Sequence, residues 1–175
     1  MNSILIGLDI SKRGHYTEQG VSGYSLAVIL SRNLPMSDDF VKKMGEEMML
    51  SIAGKCKELG ACSIGHIKSH MSTVAGTIRA DTIGVSHGAY SAGCLEYAVK
   101  DITMAISCVV QGIPEEAVKA ATLEGLLQVA EKQEISVMKQ KDRSYFDAFD
   151  CSVIMADVIS SLEEEFILEE LEEDY

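Results

Sequence analysis

Apolar and polar positions recur along the chain with two different periods, and the switches between them mark out strands and helices. Ser3 to Asp9 (SILIGLD) and Tyr24 to Leu30 (YSLAVIL) read as strands, the second the more buried. The intervening SKRGHYTEQGVSG contains Gly14, Gly20 and Gly23 and is too long for a tight hairpin, which predicts a loop. Val41, Met44, Met48, Ile52, Cys56 and Leu59 then follow at spacings of three and four, the signature of an amphipathic helix. Ser37 supplies its N-cap, Asp38 and Asp39 suit the positive end of its dipole, and Gly60 ends it.

Cys62 to Ser72 (CSIGHIKSHMS) and Thr77 to Ser86 (TIRADTIGVS) predict two antiparallel strands joined through Thr73-Val74-Ala75-Gly76. Strand side chains alternate between faces, so Ile64, His66, Lys68 and His70 share one and Ile67, Ser69 and Met71 the other. Pairing Ser72 with Thr77 sets Lys68 opposite Asp81 and His70 opposite Arg79. One hairpin face is then polar and the other apolar and packed on helices.

The stretch from Thr77 to Gly112 organises the rest. It reads as a strand, a Gly-rich turn (Ser86 to Ser91), and a nearly all-apolar helix from Tyr90 to Gln111 stopped by Gly112. Pro114, Glu115 and Glu116 open a further helix that runs to about Lys132, with Val118, Ala121, Leu126 and Val129 on its apolar face. Glu134 to Gln140 reads as a short edge strand and Tyr145 to Leu162 as a helix. The order β-β-α-β-β-α-α predicts a two-layer α+β sandwich. Its mostly antiparallel sheet of four to five strands is covered by helices, with a C-terminal helical segment added. Residues 1–162 form one domain and residues 163–175 an acidic amphipathic tail.

Composition adjusts this picture in three places. With no Trp and nine Met, the core must be aliphatic and Met-rich. The net charge is −12, but eight acids lie between Glu163 and Asp174, so residues 1–162 carry only −4 of it. Neither part offers the basic stripe that nucleic acid or an anionic membrane requires. The five cysteines form no C-x-x-C pair and the N-terminus lacks a signal-peptide pattern, so reduced thiols in a cytoplasmic protein are expected. No apolar run reaches the length of a membrane span. The all-round apolar helix asks for cover, which predicts a homo-oligomer.

Candidate chemistry concentrates on the Gly-rich turn. A turn opening a helix presents free N–H groups and a dipole to an anion. Ser86, His87, Gly88 and Ser91 line it, and the small basic groups Lys12, Arg13 and His15 and the hairpin's Lys68, His70 and Arg79 supply charge. The reading is a self-associating domain that binds a small anionic ligand at a helix N-terminus. The glycine spacing matches neither a dinucleotide fingerprint nor a P-loop. Ala89 to Gly93 approximates a nucleophile elbow, but no histidine follows Ser91 to complete the elbow's usual chain order.

Two alternatives stand beside it. One is a small acid–base enzyme using His87 or His70 with Asp81 or Asp9. The other is an interaction protein acting through its acidic tail. No metal or cofactor is expected, because His66 and His70 on one strand lie about 13 Å apart, beyond the reach of one ion.

Overall fold

Strand residues that alternate between large aliphatic and small or polar side chains can cover only one face of a sheet with core, and both helices of this protein pack on that face. A computed structural model describes residues 20–143. Its elements are β1 (Val21–Met36), α1 (Asp38–Glu58), β2 (Ser63–Thr73), β3 (Gly76–Thr82), β4 (Tyr90–Leu95), β5 (Val99–Gln111), α2 (Glu115–Lys132) and β6 (Ser136–Arg143). The expected strand Ser3–Asp9, the basic cluster Lys12, Arg13 and His15, the helix Tyr145–Leu162 and the acidic tail lie outside the described residues. Among the described residues no helix is long and apolar enough to cross a membrane.

The six strands form one antiparallel sheet in the order β4-β3-β2-β5-β1-β6. Because β1 and β2 both run antiparallel to the intervening β5, β1-α1-β2 is a crossover between parallel strands. In the same way β5-α2-β6 straddles β1. Parallel strands cannot be joined by a tight turn and need a crossover of a dozen residues or more, which each helix supplies. The result is two interlocked split β-α-β units, the β-α-β-β-α-β or ferredoxin-like arrangement, extended beyond β2 by β3 and β4.

α1 packs over β2, β3 and β4, α2 over β1, β5 and β6, and the helices pack on each other. Leu26, Val28, Ile67, Met71, Ile78, Met104 and Ile106 of the sheet meet Met44, Met48, Met49, Ile52, Val118 and Leu126 of the helices, all buried. The expected aliphatic, Met-rich core is the one found. Cys56 of α1 and Cys108 of β5 sit in it with their sulfurs 3.9 Å apart. Burial and the neighbouring Cys56 thiol push the Cys108 thiol upward, so it stays protonated. The helices approach closely at Gly125, where an added Cβ would lie 2.7 Å from the backbone nitrogen of Ile52.

The α+β class and antiparallel sheet hold, while the sandwich's strand count and order change. The described order is β-α-β-β-β-β-α-β, with six strands in place of four to five. The helix expected from Tyr90 to Gln111 is two strands, β4 and β5, broken at Glu96-Tyr97-Ala98. Residues 99–111 obey a period of two: Ile102, Met104, Ile106, Cys108 and Val110 are buried on the helix side, and Thr103, Ala105, Ser107 and Val109 are half-buried on the other. That opposite side is small and only weakly polar, so the stretch looks apolar all round when read for helix. β5 is a central strand, and its β-branched residues suit one. Gly93 in β4 has φ +105°, and a Cβ there would meet the Thr77 carbonyl oxygen at 2.2 Å. The edge strand expected at Glu134–Gln140 is β6 at one margin of the sheet.

Gly125→Ala is expected to lower stability by about 1–3 kcal/mol, the usual cost of overpacking. Gly54→Ala on α1, where a Cβ meets nothing within 4 Å, is expected to raise it by up to about 1 kcal/mol through helix propensity. Urea unfolding of the two variants checks both signs.

Candidate functional site

With both helices on one side, the other face of the sheet carries the polar residues of β1, β2, β3 and β5. Its rows follow from the strand register. One row runs Asp81, Lys68, Ser107, Ser25 across β3, β2, β5 and β1, and the next runs Arg79, His70, Ala105, Ala27. A third runs Thr77, Ser72, Thr103, Ile29. The pairings of Lys68 with Asp81, His70 with Arg79 and Ser72 with Thr77 are those expected from the sequence.

The floor of this face, along β1 and β5, holds the small side chains of Ser25, Ala27, Thr103, Ala105 and Ser107 beside Gly23, with Ile29 and Val109 at its ends. His66, Lys68 and His70 of β2 flank it on one side, backed by Arg79 and Asp81 of β3. On the other side the backbone register of β6 sets Lys139, Lys141 and Arg143 opposite Ile29, Ala27 and Ser25. By register this strip is two strands wide, with Lys68, Arg79 and Asp81 at its β2–β3 margin.

A bulge aims one of these residues. The ladder between β2 and β5 slips at Gly65, so Ile64 pairs with Val110 and His66 with Val109. The extra residue leaves Ile64 against the core and turns His66, two positions on, to the free face. Bulges commonly re-aim a side chain in this way.

Three polar atoms on this face are buried without a hydrogen-bond partner: Ser25 Oγ, Ser107 Oγ and His66 Nε2. Ser25 is 1% exposed although it lies on the side turned away from both helices. Lys68 and Arg79 are exposed, and they make no hydrogen bond or ion pair to any described residue. Burial, aided by the Lys68 ammonium, lowers the pKa of His66. Burial, aided by the Arg79 guanidinium, lowers that of His70. Both imidazoles are therefore neutral at neutral pH, each able to donate one hydrogen bond and accept another.

The other expected site residues lie elsewhere. Ser86, His87 and Gly88 belong to the connection between β3 and β4, which contains a short 3-10 turn at Val85–His87. The Thr82 hydroxyl closes this connection by donating to the Gly88 carbonyl at 2.6 Å and accepting from the Gly84 N–H at 3.1 Å. His87 is exposed, with Nδ1 3.2 Å from Ser86 Oγ. Ser91 is on the helix side of β4 and donates to Glu46 Oε1 of α1 at 2.6 Å. The turn thus leads into a strand, so the helix N-terminus expected to hold an anion is absent there. Ser91 and the trio Lys68, His70 and Arg79 occupy opposite faces of the sheet.

Among the described residues no carboxylate is hydrogen-bonded to His66, His70 or His87, and no three His, Cys, Asp or Glu side chains gather as metal ligands. The sequence reading put His66 on the face of Lys68 and His70 but left it out of the site, and it missed Ser25 and Ser107 as members of that surface. The signal that finds them is the two-residue period of 99–111, which makes β5 a strand and brings Ser107 between Lys68 and Ser25. Comparisons with protein-family models, curated proteins and solved structures give no match.

The depressed histidine pKa values set the sign of a pH effect. Below the ordinary value of 6.5 the unfolded chain takes up protons that His66 and His70 refuse in the folded one. Stability is fully present above that pH and falls as pH drops from it through the lowered values. Urea midpoints between about pH 7.5 and 5 should show this decline, and His66→Gln with His70→Gln should flatten it.

Proposed function

We propose that the free face of the sheet binds a small molecule carrying an oxyanion. The observation that supports this most is the trio of buried, unpartnered polar atoms, Ser25 Oγ, Ser107 Oγ and His66 Nε2, beside unpaired Lys68. A buried hydroxyl or ring nitrogen without a partner costs about 1–3 kcal/mol, so each asks for an explanation such as a ligand. Lys68 and Arg79 reach in from the margin as charged donors. Ser107 and Ser25 follow at one-strand intervals of about 4.8 Å, hydroxyls that can both donate and accept. Ala105 and Ala27 beside them leave room for a flat or extended body. The ligand best suited has an anionic group at one end and hydrogen-bonding atoms along about 10 Å of length, two strand spacings.

This reading keeps the anionic ligand expected from the sequence and moves it. Lys68, His70 and Arg79 remain in the site, His66, Ser25 and Ser107 join it, and Ser86 to Ser91 leave it. Both histidines gain protons more easily beside a bound anion, so affinity should rise as pH falls from 7.5 towards 5.5.

Inorganic pyrophosphate serves as a probe. Its amide shift changes are expected at 66–70, 79–81 and 105–107, and changes centred on 84–91 would count against the proposal. Lys68→Ala and Arg79→Ala should each weaken pyrophosphate binding by about tenfold or more, the worth of one charge-assisted hydrogen bond. Lys43→Ala, on the exposed side of α1, should leave it unchanged. Ser25→Ala should weaken binding while raising the stability of the free protein by about 1 kcal/mol, because it removes an unpaired buried hydroxyl. Calorimetric titration and urea unfolding separate the two effects.

A further inference from the structure

The charges of this chain are sorted by location. Residues 20–143 hold 13 Lys and Arg against 14 Asp and Glu, nearly balanced, while Glu163 to Asp174 hold eight acids and no base. Within the body three helix lysines are matched: Lys42 with Asp38, Lys55 with Glu124, and Lys132 of α2 with Glu47 of α1. On the free face of the sheet Lys68 and Arg79 have no such match among the described residues.

Geometry allows the two to meet. β6 ends at Arg143, which pairs with Ser25 in the row that continues to Ser107 and Lys68. Three strand spacings, about 14 Å, separate β6 from β2. The 19 residues from 144 to 162 span about 28 Å even as a continuous helix, and about twice that when extended. The tether is therefore long enough in either extreme. It is also short enough to hold the tail at a millimolar effective concentration, so even weak docking is populated.

The tail carries Phe166, Ile167, Leu168 and Leu171 among its carboxylates. The free face pairs a floor of small side chains, including Ala27 and Ala105, with basic residues at its margin. An acidic peptide with interleaved apolar side chains is complementary to such a surface in both respects. The buried, unpartnered Ser25 hydroxyl in that floor is an independent sign that the face takes an occupant.

We infer that Glu163–Tyr175 folds back onto the free face of its own sheet and competes there with the anionic ligand. The inference rests on the reading of that face as an anion site and adds its regulation: the chain carries a tethered competitor. Ionic strength weakens the tail's hold, because exposed charges are screened beyond about 8 Å at physiological salt.

The test uses the full-length chain with every glutamate from 163 to 173 changed to Gln and Asp174→Asn. Neutralising the tail should raise pyrophosphate affinity about tenfold at low salt. That gain should vanish at 0.5 M NaCl and in the Lys68→Ala background. Unchanged affinity on neutralisation overturns the inference. A second measurement is independent of pyrophosphate: a synthetic Glu163–Tyr175 peptide is titrated into the neutralised chain. Amide shifts at 66–70 and 79–81 support docking, whereas shifts confined to α1 and α2, or none, overturn it. If pyrophosphate binds neither form, the anion site fails, and the peptide titration alone decides the inference. A native chain whose amide shifts at 66–81 depend on protein concentration, showing the tail of one copy on another, also overturns it.

Discussion

Both crossover helices must pass on the same side of the sheet, because only there can the aliphatic rows of β1, β5 and β2 be covered. Everything else about this protein follows from that one-sidedness. Leu26, Ile106, Met71 and Ile78 face α1 and α2, and Gly125 lets the helices close over them against Ile52. The remaining face is left with what the alternation supplies, namely serines, alanines, histidines and three or four charges. Its place opposite the helices and its chemistry have one cause.

That division has an electrostatic counterpart. The helices carry acids paired locally with lysines, in contacts such as Lys42 with Asp38 at 2.6 Å. Such exposed pairs contribute little to stability, and the two helices remain acidic, with nine carboxylates against six lysines. Lys68 and Arg79, without partners among the described residues, lie across the sheet beside Asp81 and a floor that holds unpaired hydroxyls. Removing Ser25 Oγ would make a better core and a poorer surface. Sites commonly show that opposition, since groups arranged for a ligand are unsatisfied in its absence.

Much of the fold was legible in the sequence because local chemistry differs sharply between faces. The hairpin of β2 and β3 is the clearest case: Ile67, Met71 and Ile78 against Lys68, His70 and Arg79 suit the register that pairs Ser72 with Thr77, and it is the one adopted. α1 announced itself through Ser37, whose side chain accepts from the Phe40 N–H, and through its three-and-four spacing. β5 did not, because Thr103, Ala105 and Ser107 contrast too little with their buried neighbours to reveal a period of two. The site was half visible for a different reason. Lys68, His70 and Arg79 are near one another in sequence, whereas Ser25 and Ser107 join them only through the insertion of β5 between β1 and β2. No local pattern reports that pairing of distant strands.

The two margins of the sheet differ in character. β6 (SVMKQKDR) has a charge-rich sequence, the composition by which edge strands commonly discourage an incoming strand. β4 (YSAGCL) bears no charge at all. Gly93 sets it apart instead, its backbone held at φ +105° within an unbroken register to β3. An uncharged strand at the margin of the described sheet is a seam for edge-to-edge addition, which shows first as fibres or precipitate in a concentrated solution.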